Sequence, residues 1–80
     1  MHILLQGDVL FLMEDLDAAS QIYHYALKVN NYSAEACFGL GKCYKAAEMS
    51  EDAKEMFELA LQCDPNFAVA RAELEGIKNN

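Results

Sequence analysis

Residues 34–67 read AEACFGLGKCYKAAEMSEDAKEMFELALQCDPNF. Within this stretch Cys37, Leu40, Gly41 and Tyr44 recur at i, i+3, i+4 and i+7, the spacing of one face of an α-helix. Ala53, Phe57, Ala60 and Leu61 follow the same period. Between the two patterns, Met49-Ser50-Glu51-Asp52 predicts a break, with Ser50 as N-cap and two acids facing the positive end of the helix dipole. Pro65 closes the second pattern, because proline cannot continue the hydrogen-bond ladder. The stretch therefore predicts a helical hairpin.

Moving back 34 positions uncovers the same pattern of small and large residues. Gly41 falls on Gly7, Tyr44 on Leu10, Ala53 on Ala19, Phe57 on Tyr23, Ala60 on Ala26 and Leu61 on Leu27. Self-similarity at a fixed period of this length is the signature of a repeat architecture. Asp15-Leu16-Asp17 supplies the break inside the earlier unit, and Asn30-Asn31-Tyr32-Ser33 the break between units, with Ser33 able to cap the next helix. Five helices are expected, at about 2–13, 17–30, 34–47, 51–63 and 67–78. The units divide as 1–33, 34–67 and a closing helix over 68–80, the first unit starting at what is expected to be a cut edge.

Composition narrows the class further. The chain has 80 residues, 6 Lys+Arg against 13 Asp+Glu, and a net charge of -7. This is one small domain, without room for two lobes around a catalytic cleft. The acidic balance argues against nucleic acid, whose phosphates draw on clustered Lys and Arg. No apolar run approaches the roughly 20 residues that span a bilayer, so membrane insertion is not expected. The N-terminal apolar stretch is cut by Gln6, Gly7 and Asp8 and lacks a basic flank, so it does not read as a signal peptide. A hydrophobic fraction of 54%, resting on twelve alanines with one Pro and four Gly, reads as packed helices.

These residues resemble the tetratricopeptide repeat (TPR) family, whose signature runs W-x₂-L-G-x₂-Y, then A-x₃-F, then P. Here the run is Cys37-x₂-Leu40-Gly41-x₂-Tyr44, then Ala53-x₃-Phe57, Ala60 and Pro65, with Cys37 in place of the leading aromatic. In the first unit Ile3, Gly7, Leu10, Ala19, Tyr23 and Ala26 fill the corresponding sites, and Gln6 departs from the usual leucine. The resemblance implies an all-α fold of antiparallel hairpins stacked as a right-handed superhelical solenoid. The residues themselves give a packing reason for the pattern. Small Gly41 and Ala53 let the two helices of a hairpin approach, Phe57 and Tyr44 fill the space beside them, and Ala60 leaves room for the next helix. Two units and one helix fall short of the three repeats usual for solenoid stability, so an excised piece or an associating one is expected.

Chemistry finds little support. Cys37, Cys43 and Cys63 lack the spacing of a zinc or redox motif. Six residues rotate a helix by about 600°, so Cys37 and Cys43 point apart. Free thiols of this kind fit a reducing compartment, the cytoplasm or the nucleus. His2 and His24 have no partner at metal-ligand spacing, so neither a metal nor a cofactor is expected. Gly39-Leu40-Gly41 lacks the strand and the further residues of a phosphate loop, and close packing explains it better. Glu51, Glu55 and Glu58 form an acidic stripe read as a solvated face. No nucleophile has a visible base, and no catalytic residue is assigned.

The family resemblance implies that the first helix of each unit lines a concave groove for a partner's peptide or helix. Spacing then names the lining residues: Leu4, Asp8, Phe11 and Leu12; Glu35, Phe38, Lys42 and Lys45; and Val69, Ala72, Glu73 and Gly76. Phe11 and Phe38 are expected to anchor an apolar segment, with Lys42 and Lys45 favouring an acid beside it. Chaperone-adaptor TPR domains grip acidic C-terminal tails with Lys, Asn and Arg, but the aligned places here hold Leu4, Asp8, Gly39, Val69 and Glu73. None of these side chains donates to a carboxylate, so that ligand is not expected. The leading reading is a noncatalytic scaffold or adaptor module that binds protein. The competing ones are a self-assembling repeat that stacks or swaps, and a targeting module of an enzyme whose catalytic domain lies elsewhere.

Overall fold

A computed structural model describes the backbone of residues 3–29 and 34–78 and the side chains of 6–29 and 34–77. The expected cap at Ser33 and the core role of Ile3 lie outside the described backbone or side chains. Among the described residues five helices follow one another: α1 (Ile3–Leu12), α2 (Leu16–Val29), α3 (Ala34–Ala46), α4 (Ser50–Cys63) and α5 (Ala68–Lys78). Each packs against the next, and α1 also touches α3. No strand occurs among the described residues. The all-α hairpin reading holds, with helix limits within about two residues of those expected.

Both hairpins turn in the same way. In the first, Asp15 N–H donates to Leu10 O and Glu14 N–H to Phe11 O, each at 3.0 Å. In the second, Met49 N–H donates to Tyr44 O at 2.8 Å and Glu48 N–H to Lys45 O at 3.0 Å. This pair of bonds is the Schellman arrangement, which satisfies orphan carbonyls at a helix end. It places Glu14 at φ 63° and Glu48 at φ 64°, a left-handed conformation more often taken by glycine. The following helix starts differently in the two units. The Asp15 carboxylate accepts from Ala18 N–H at 3.3 Å, as an N-cap does. Its equivalent is Met49, which makes no side-chain cap bond. Ser50 is therefore not the N-cap expected above: it is already the first helical residue, one place too far along. Pro65 acts through its neighbour, since Asp64 is extended at φ -143° and α4 ends at Cys63.

The core consists of aromatic rings seated on residues without bulk. A Cβ on Gly41 would stand 2.5 Å from Phe57 Cε1, and one on Gly7 would stand 2.7 Å from Tyr23 Cε1. Each hairpin is thus closed by a ring lying on the glycine of its first helix. Tyr23 also reaches the next unit, where a Cβ on Gly39 would stand 2.4 Å from its Cζ. Around these contacts lie Ala19, Leu40 and Cys43 on one side and Ala53 and Leu74 on the other, all buried. Ala60 packs with Cys37 and with Ala70 of α5, which gives it the spacing role expected of it. Cys37 and Cys43 do fall in separate clusters, and Glu51, Glu55 and Glu58 are exposed.

These contacts reverse an ordinary preference. Glycine inside a helix normally costs about 1 kcal/mol relative to alanine. Gly76 has nothing within 4 Å of a built Cβ, so Gly76→Ala should stabilise by roughly 0.5–1 kcal/mol. Gly39→Ala should instead destabilise by about 1–3 kcal/mol, because the fully buried Tyr23 ring has nowhere to retreat. Urea unfolding of the two variants beside the parent checks the opposite signs.

Candidate partner-binding face

The turns and glycine contacts align α1 and α3 side by side, so residues one unit apart on these helices come together. Lys42 is the centre of the resulting cluster. Its ammonium nitrogen lies 4.7 Å from the centroid of the Phe11 ring and 5.3 Å from that of Phe38. Both distances fall within the roughly 6 Å over which a ring quadrupole attracts a cation. Phe11, Phe38 and Lys42 are each half-buried. The lysine stem covers the aromatic surface while its charge stays at the boundary with water.

Phe38 is shared between this face and the interior. Its ring lies 5.6 Å from that of Phe57, tilted at 48°, and 5.4 Å edge-on from that of Phe67. Aromatic pairs favour such offset or edge-to-face arrangements. The ring therefore bridges the core under α4 to the chain entering α5. Removing it would disturb the fold together with the surface; Phe11 also packs against the first core cluster, so Lys42 is the cleaner position for mutation.

The remaining expected residues fall around this cluster. Lys45 pairs with Glu73 of α5 at 2.8 Å, and both side chains retain water contact. Asp8 accepts the hydroxyl of Tyr23, the same ring that lies on Gly7 and Gly39. Burial, and then the Asp8 carboxylate, push the Tyr23 phenol above its ordinary pKa, so it remains a donor. Leu12 is 80% exposed and lines a shallow recess with Phe11, Glu14, Leu16 and Ala46. Glu35, Val69 and Ala72 are exposed, Gly76 faces open space, and the Leu4 side chain lies outside the described ones. Gly39 is buried beneath Tyr23, in line with the close packing expected of it.

Two contacts here had no counterpart in the sequence reading. Phe67 enters the Phe38 cluster from just beyond Pro65, and Asp8 bonds Tyr23 across 15 positions. The offset of one unit that aligns Tyr23 with Phe57 was the available signal for the second, since it places Tyr23 beside α1. Among the described residues, no group of three His, Cys, Asp or Glu side chains could hold a metal ion. No described helix is long and apolar enough to cross a membrane.

Successive helical hairpins, each closed by an aromatic ring on a glycine and seated on the one before, define a helical-repeat protein. A family model for the tetratricopeptide repeat matches residues 10–74, and the chain belongs to that family. Repeats of this family generally serve as protein-interaction modules. A search of curated proteins returned no match.

Lys42 and Lys45 should respond differently to loss of charge. Lys42→Gln removes a cation held between two rings and should lower stability by about 1 kcal/mol. Lys45→Gln breaks a solvated ion pair and should change stability by less than about 0.5 kcal/mol. Chemical denaturation at low and high salt separates the two effects, because screening weakens the exposed pair more than the partly buried cation.

Proposed function

We propose that this chain is a noncatalytic scaffold module whose α1–α3–α5 face holds a peptide or helix from a protein partner. The observation that carries the reading is the Phe11–Lys42–Phe38 cluster, an apolar surface topped by one cation. Such a surface suits a segment that offers an apolar side chain and an acid within one helical turn. Phe11 supplies apolar area, while Lys42 orients the acid. Lys45 is already engaged by Glu73, so its charge contributes less to a newcomer. In the family's right-handed superhelix, this surface becomes the concave side.

The reading is tested by selecting binders from a displayed library of random helical peptides. Parent protein should enrich sequences that place Asp or Glu three or four residues from a large apolar residue. Lys42→Glu should lose those sequences, and Phe11→Ala should weaken them about tenfold or more. Equal recovery on all three proteins would move the site elsewhere. A peptide ending in consecutive acids at a free C-terminus should not bind at micromolar concentration. Glu73 and Asp8 would repel it, and buried Gly39 offers it no side chain.

A second reading is favoured by the outer side of α1. Val9 stands one unit before Cys43, which is buried against α2, yet Val9 is 41% exposed. Leu12 and Met13 extend that apolar edge at 80% and 70% exposure. Stacking of another hairpin on this edge would cover all three. Light scattering across a hundredfold range of concentration distinguishes the readings: self-assembly predicts rising mass, and Val9→Lys should then suppress the rise. A constant monomer mass favours the groove module alone.

A further inference from the structure

Beside the Phe11–Lys42–Phe38 cluster lies a recess of about 340 Å³ lined by Phe11, Leu12, Glu14, Leu16 and Ala46. Its walls come from the end of α1, the turn after it, the start of α2 and the end of α3. Ala46 follows Lys42 by four residues, so the recess sits about one helical turn from the lysine, toward the hairpin turns. Phe11 is shared by the two places, whereas Lys42 is not among the recess walls.

The fold does not demand this lining. One unit further on, Lys45, Ala46 and Ser50 stand in the places of Phe11, Leu12 and Leu16, and the second hairpin turns in the same way. Leu12 keeps a large apolar side chain 80% exposed where the next unit has only a methyl group. Among the walls, the lone charge is Glu14. It is exposed and forms no ion pair among the described residues.

Four apolar walls and one carboxylate match an amphipathic cation, whose long stem lies on apolar surface while its charge meets the acid. A purely apolar occupant would strip water from the Glu14 carboxylate without replacing it, and an acidic one would be repelled. The volume is near the lower end of ligand pockets, about 300–1,000 Å³, and the Leu12 and Glu14 walls are open to solvent. Such a recess does not enclose a free small molecule. A side chain delivered by a segment already bound needs no enclosure of its own.

We propose that the recess takes an arginine or lysine side chain of the partner segment and sets specificity together with Lys42. The inference rests on the reading of the α1–α3–α5 face as the peptide-binding one. Lys42 then selects an acid and Glu14 a base, about one helical turn apart, with an apolar side chain on the Phe11 ring they share. A segment laid in the reverse direction would set like charge against like at both places, so the pair also fixes its direction.

The test selects a displayed library of random helical peptides on the parent, Lys42→Glu and Glu14→Lys proteins, then titrates a synthetic parent consensus. The parent should enrich Arg or Lys about one turn from the acid, in addition to the acid and apolar positions. Glu14→Lys should keep the acid and apolar positions but replace the base by Asp or Glu, and should bind the parent consensus about tenfold more weakly. Leu12→Ala should weaken that consensus about fivefold. Its Tm should be nearly unchanged, because the second unit already carries Ala46 in that place. Acid-and-apolar sequences without a basic position would overturn this proposal and leave the reading of the face standing. Recovery indifferent to Lys42→Glu would overturn both. If Leu12→Ala binds the consensus as the parent does but loses a concentration-dependent rise in mass, the recess belongs to a contact between copies and the proposal falls.

Discussion

The ring of Tyr23 lies against Gly7 of its own hairpin and Gly39 of the next, and the rest of the stack depends on that double contact. One face of the ring closes α1 onto α2, and the same ring sets how near α3 can come. Phe57 repeats the first of these contacts at Gly41 but not the second, because the residue one unit beyond Gly39 is Glu73. At that boundary Leu74 fills the space beside Phe57, and Glu73 turns to Lys45. The joint between the two hairpins is therefore tight and aromatic. The joint to α5 is looser and partly ionic.

That geometry links packing to the proposed binding face. Because α3 sits close against α2, Lys42 comes within reach of Phe11 on α1 as well as Phe38 on its own helix. A wider joint would leave the lysine over one ring only. The net charge of -7 describes the solvated outside, including Glu51, Glu55 and Glu58. It says little about the Phe11–Phe38 surface, where Lys42 sits on apolar rings.

Much of this was legible from residue pattern alone. The offset of 34 positions paired Gly7 with Gly41 and Tyr23 with Phe57, which is enough to infer two like hairpins, whereas Phe57 and Tyr23 lie on the glycines themselves and not merely beside a Gly–Ala contact. Close packing at Gly39 was expected, but which ring it meets was not, because only the register of α2 against α3 brings Tyr23 onto it. The turns at Glu14 and Glu48 were hidden because neither is the glycine that usually announces a left-handed residue. Ser50 misled for a related reason: the capping residue type is present, but the turn ends one residue before it. Phe38 satisfies a groove spacing and a core contact together, and periodicity along one helix cannot weigh them.

The most direct test of this account is a double-mutant cycle between Gly39 and Tyr23, read as unfolding free energy in urea. If the Tyr23 ring is what forbids a Cβ at position 39, Gly39→Ala should destabilise the parent but be neutral or stabilising in a Tyr23→Leu background. The coupling should be at least about 1 kcal/mol. Additive effects of the two substitutions would contradict the claim that this ring sets the spacing between the hairpins.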